Sequence, residues 1–147
     1  MRERLVRAII DSVTQTFRTM VGLNAALVSS HASMAESFDG MSSIITLSGG
    51  VAGSISVHCE ESAALAMTSR LLGVNIRQAG PDVLDAVGEF ANVVAGMAKR
   101  SLSPADSFDI STPTLVFGRH PIGGAGSMLE FNVEGMRVLV EIVVPVR

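Results

Sequence analysis

Glu89 and Asn92 stand three residues apart, with Asp85 one turn earlier, inside the stretch PDVLDAVGEFANVVAGMAKRSLS at 81–103. A carboxylate can anchor a cation of another molecule. A carboxamide is a poor base, yet it donates to and accepts from a single water at once and so can aim it. The pair therefore suits binding and water positioning. The plain alternative is a solvated helix face. Against that alternative stand Gly88 and Gly96, which flank the pair although each Gly in a helix costs about 1 kcal/mol relative to Ala. The two glycines predict flat surroundings that let a partner come close.

These side chains need a rigid carrier, and the spacing predicts a helix over 81–103. Val83, Leu84, Val87, Phe90, Ala91, Val94, Ala98 and Leu102 recur at helical intervals and form a core-facing side. Asp85, Glu89, Asn92, Gly96 and Lys99 step by four, three, four and three into one outward stripe. Pro81 suits the first turn, where its missing N–H is of no consequence, and Pro104 opposes continuation. A first helix is expected over 2–20 from Leu5, Val6, Ile9, Ile10, Val13, Phe17 and Met20, ending at Gly22. Glu60–Leu72 reads as a third helix that bridges two halves.

The remaining segments read as strands. A weakly patterned one covers 23–34 and a loop follows through Gly40; strands at 41–47 and 51–59 join through Ser48, Gly49 and Gly50. Phe108–Phe117 is a further strand, placed at an edge or a bulge by Pro113. A Gly-rich loop at 118–126 precedes a hairpin of 128–133 and 136–146 turning at Glu134-Gly135. Each half is then a long helix, one strand and a hairpin. The expected fold is α+β, a mostly antiparallel six-stranded sheet covered by long helices, built as two pseudo-repeats within a single domain of residues 1–147. Asp11, Gln15 and Arg18 align with Asp85, Glu89 and Asn92 at an offset of 74. The first helix thus keeps the scaffold without the carboxylate and the amide.

Composition narrows the function classes. Only 17% of the 147 residues are charged while 48% are hydrophobic, which favours apolar surface shared with a second subunit. A net charge of −3 with scattered Lys and Arg gives no basic field for nucleic acid. The single Cys59 permits no internal disulfide, and no apolar run is long enough for a membrane span, so a soluble, cytoplasmic protein is expected. His58 and Cys59 are strand neighbours pointing to opposite faces, and His31 and His120 lack spaced partners, so no metal site is expected. The Gly-rich loop lacks the Lys-Ser/Thr end of a phosphate-binding loop, and no serine elbow is present.

The segment Asp85-x3-Glu89-x2-Asn92, followed about twenty residues later by Pro113, resembles the signature of the CheC, CheX and FliY chemotaxis phosphatases. RLVRAIIDSVTQTFRTMVG and ITLSGGVAGSISV look like the CheX branch in particular, and the likeness covers nearly the whole chain. The resemblance implies hydrolysis of the aspartyl phosphate on a CheY-like response-regulator receiver domain. Asn92 would orient the water and Glu89 would bind the receiver lysine, with Asp85 at the rim and Pro113 shaping the strand beside the helix; together with Gly88 and Gly96, whose flat surroundings admit a partner, these are the expected partner-binding positions. It implies no cofactor of the protein's own, Mg²⁺ in the partner receiver, and a homodimer through sheet edges. The alternative is a non-catalytic adaptor that binds a receiver or a flagellar-switch protein through the same helix.

Overall fold

A computed structural model describes residues 2–145. The first helix, α1 (Arg2–Thr16), buries Leu5, Ile9 and Val13 on one side and runs into a wider π turn over Phe17–Val21, closed by Gly22 in the left-handed conformation. Three strands follow: β1 (Ala25–Ala32), β2 (Glu36–Gly49) and β3 (Gly53–Cys59). After α2 (Glu61–Leu72) and α3 (Pro81–Ser101) come a short 3-10 turn and β4 (Phe108–Ile110), β5 (Thr114–Ile122), β6 (Ser127–Val133) and β7 (Met136–Val143).

All strand pairs are antiparallel, in the order β1-β6-β7-β3-β2, and β4 and β5 share the outer side of β2. The expected α+β architecture holds, with seven strands where the sequence reading counted six. The seventh arises because the single strand expected over 108–117 is broken beside Pro113. Ile110 lies opposite Leu47 and Thr114 opposite Ile44, so Ser111, Thr112 and Pro113 face only Thr46 and Ile45. That extra residue is a bulge, and proline, with no N–H to donate, sits where the ladder lapses. Ser111 ties the break down: its N–H donates to the Thr46 carbonyl at 3.0 Å and its hydroxyl accepts from the Thr46 N–H at 2.9 Å.

Two segments expected as loops are strand. Residues 36–40 open β2, and 118–122 complete β5, because they pair with each other, Phe38 opposite His120 and Gly40 opposite Gly118. Their glycines and polar residues read locally as loop, whereas the pairing partner lies about eighty residues away. The turn at Glu134-Gly135 forms as expected, both residues at positive φ (51° and 92°), and the Asn24 N–H donates to the Glu134 carboxylate at 2.9 Å.

The pseudo-repeat is visible in the sheet itself. Exchanging β1 for β5, β2 for β6 and β3 for β7 reproduces the same order read backwards. All three helices cover one face. There the core joins Met41, Ile45, Leu47, Ile55, Val57, Leu129, Phe131, Val138 and Val140 of the strands to the helices' inner sides. The other face carries a smaller cluster of Phe38, Ile122, Met128 and Leu139.

Candidate functional site

The inner side of α3 fixes its rotation. Val83, Val87, Phe90, Ala91, Val94 and Ala98 are buried, and the Phe90 ring meets Phe17 of the π turn with centroids 4.5 Å apart. With that side sealed, Asp85 and Glu89 face solvent and Asn92 lies partly exposed on the same ridge. Residues three or four apart on a helix have Cβ atoms about 5–6 Å apart, so Glu89 and Asn92 project side by side. Both sit well inside a 21-residue helix, away from fraying ends. Among the described residues, no Lys, Arg or His comes within ion-pair distance of Asp85 or Glu89. The arrangement offers a free carboxylate and an amide on a rigid ridge.

The other sequence-selected positions separate into different roles. Gly88, expected to leave the approach open for a partner, is buried on the side of α3 that faces β5. A Cβ there would lie 3.3 Å from Pro113 Cγ and 3.3 Å from a Leu115 methyl, so the glycine lets the bulged strand press onto the helix. Pro113 is accordingly placed beside α3, one helical turn from Asn92. Gly96 is partly exposed, and an added Cβ would meet only Arg100 Nη1, at 3.6 Å. Lys99 reaches Asp109 Oδ1 at 3.7 Å and links the end of the stripe to β4.

Beside Glu89 lies a groove of about 390 Å³ lined by Met20, Leu71, Leu72, Asp82, Asp85, Ala86 and Glu89. Sequence patterning missed it, because three separate elements contribute. The only local signal was the exposed apolar end of α2 at Leu71-Leu72.

The remaining reactive groups lie elsewhere. Cys59 is fully buried in the main core, and burial pushes its thiol up to about 12, which leaves it un-ionised and inert. His58 points to the opposite face, as alternation requires. There Ser42 Oγ lies 2.6 Å from both His58 Nδ1 and His120 Nε2. His120 Nδ1 donates to the Gly118 carbonyl at 2.8 Å. Glu141 continues the network, accepting from the Ser33 hydroxyl at 2.8 Å, with His58 Nε2 at 3.5 Å. Burial alone would raise the Glu141 pKa, but the adjacent His58 imidazole, the hydrogen bond from Ser33 and the Gly123 amide together hold it below the usual carboxylate value. Ser42, His58 and Glu141 are all at least nine-tenths buried, so the set braces the sheet and presents no nucleophile to solvent. Among the described residues no three His, Cys, Asp or Glu side chains are grouped to hold a metal ion, and no helix is long and apolar enough to cross a membrane.

This α+β fold, a mostly antiparallel open sheet with three helices, is shared with solved structures of CheC-like proteins. A crystal structure of the chemotaxis protein CheX from Vibrio vulnificus superposes with a TM-score of 0.87 at 28% identity, covering 96% of this chain and 99% of that one. CheX from Desulfovibrio desulfuricans gives 0.84 over 96% and 99% of the two chains, and at 23% identity it bears on the fold alone. In sequence, the chain is 31% identical over 122 residues to the CheY-P phosphatase CheX of Thermotoga maritima, covering 81% of this chain and 79% of that protein. Residues 41–122, which include Glu89, Asn92 and Pro113, match the family described as chemotaxis phosphatase CheX. The chain belongs to the CheX family.

Proposed function

We propose that this protein hydrolyses the aspartyl phosphate of a CheY-like receiver domain. The observation that carries the reading is the ridge of α3, where Glu89 and Asn92 stand side by side, without an ion-pair partner among the described residues and held by a sealed inner face. The named activity of the Thermotoga maritima relative supplies the substrate class. An acyl phosphate has a good leaving group in the aspartate carboxylate, so the step requires a water in line with the phosphorus and little else. The Asn92 amide accepts one hydrogen bond from that water and donates another, fixing its angle of attack, while Glu89 pairs with the receiver lysine and sets the depth of insertion. As water attacks, the phosphorus–carboxylate bond breaks, and the water proton leaves with inorganic phosphate. Charge at the phosphoryl group is balanced by the receiver's own lysine and Mg²⁺.

The same reading gives a cytoplasmic homodimer joined through sheet edges, supported by the exposed Leu27 and Val28 on β1 and Phe117 on β5. The deciding experiment follows the lifetime of a phosphorylated CheY-like receiver with substoichiometric protein. Multiple turnovers of released phosphate support a phosphatase. A stable complex with an unshortened lifetime would make the protein an adaptor and overturn the catalytic assignment.

A further inference from the structure

Of the residues that line the groove beside the ridge, the proposed chemistry uses only Glu89. Its floor is apolar, made of Met20 from the π turn of α1, Leu71 and Leu72 from the last turn of α2, and Ala86 of α3. Its rim is of one sign, made of Asp82, Asp85 and Glu89. Leu72 remains 53% exposed here, one of few large apolar side chains left in solvent. The three rim carboxylates follow one another along α3, exposed and without an ion-pair partner among the described residues. Arg18 and Arg70, the nearest cations in sequence to the lining residues, do not line the groove. The π turn is what carries Met20 into this floor, and π turns are enriched at functional sites.

An apolar floor under an uncompensated acidic rim matches an aliphatic side chain flanked by Lys or Arg. Glu89 belongs both to this rim and to the catalytic ridge, so whatever fills the groove lies against the molecule whose phosphate is being hydrolysed. Resting on the phosphatase reading, we infer that the groove is the second docking point for the receiver domain. It takes an aliphatic residue with an adjacent cation from the receiver surface next to its phosphorylated pocket. In this arrangement the ridge performs the chemistry and the groove selects which receiver is accepted.

The test compares wild type, Leu72→Ser and Asp82→Lys, two substitutions at exposed positions whose folding is checked by circular dichroism. Steady-state dephosphorylation of a phosphorylated CheY-like receiver is measured at low and high salt. Calorimetric binding of the same receiver is measured in parallel, so the groove is judged independently of turnover. Leu72→Ser is expected to raise KM and Kd at least ~10-fold, with kcat within about twofold of wild type. Asp82→Lys is expected to raise both constants and to flatten their salt dependence. If wild type turns over and both variants keep its KM and Kd, the groove assignment is overturned while the phosphatase stands. If wild type binds the receiver but releases no phosphate, the phosphatase reading fails and the binding constants of the variants still decide the groove.

Discussion

The two long helices occupy equivalent places in the doubled fold, and they have diverged on their outer sides. Both seal an apolar face against the same core, and both expose a stripe with an acid at its head, Asp11 on α1 and Asp85 on α3. Along α3 the helix stays regular past Asn92 to Ser101. Along α1 the regular helix stops at Thr16, and Arg18 falls inside the π turn of Phe17–Val21. A π turn holds more residues per turn, so Arg18 does not stack over Gln15 as Asn92 stacks over Glu89. The buried face of a duplicated helix is preserved by the core it shares, whereas an outward pair needs the right residues and an unbroken helix beneath them.

The largest effect expected from breaking this contrast is on activity. Asn92→Ala should lower receiver dephosphorylation by about 10²–10⁴-fold, the range for a well-placed proton or water handler. Arg18→Ala, at the matching point of α1, should leave the rate within about twofold. Phosphate release from a phosphorylated receiver measures both, and equal losses would show that the halves are not divided as the geometry indicates.

A smaller effect is expected on stability from the side of α3 that meets β5. Gly88→Leu drives a branched side chain into Pro113 and Leu115, which already stand 3.3 Å from the site of its Cβ, and overpacking of this kind costs about 1–3 kcal/mol. Urea unfolding should show a lowered midpoint. Gln15 is exposed on α1, and Gln15→Leu should leave the midpoint nearly unmoved.

Stability should also be separable from the ridge altogether. Removing the buried Glu141 charge with Glu141→Gln weakens its contacts with Ser33 and His58 and should cost about 1–3 kcal/mol near pH 7, with kcat retained. Because the folded carboxyl titrates below its ordinary 4.5, its contribution is present above that pH and fades as pH falls through the lower folded value. Urea midpoints of wild type and variant should therefore converge on acidification, and a gap that persists unchanged would contradict the assigned network.

Much of this was legible from spacing. Val83, Val87, Phe90, Val94 and Ala98 gave α3 and its orientation, because a 3.6-residue period is local, and the same period placed Glu89 opposite them. Pro113 signalled the bulge through its missing N–H. What escaped depended on distant partners or on small distortions. Residues 36–40 and 118–122 carry no strand pattern of their own and become strand through each other. The π turn leaves the apolar spacing of Phe17 and Val21 intact, so nothing in composition marks it. Gly88 was misplaced although the signal existed: it lies one residue off the stripe of Asp85, Glu89 and Asn92, in line with Leu84, Ala91 and Ala95 on the packed side.

The smallest expected effect is the most discriminating for the two halves. If residue identity alone separates them, grafting the pair onto α1 as Gln15→Glu with Arg18→Asn should build a second site. If the π turn also matters, the graft should fail. In an Asn92→Ala background, where the proposed α3 site is expected to be largely disabled, we expect the doubly substituted α1 to add less than about one-hundredth of the wild-type rate to what that variant retains, because an in-line water would tolerate little misplacement of an amide that aims it. The protein should fold normally, since both positions are exposed. Recovery of a substantial fraction of activity in the receiver assay would show that α1 already has the required geometry. The division between the halves would then rest on two side chains and not on the path of the backbone.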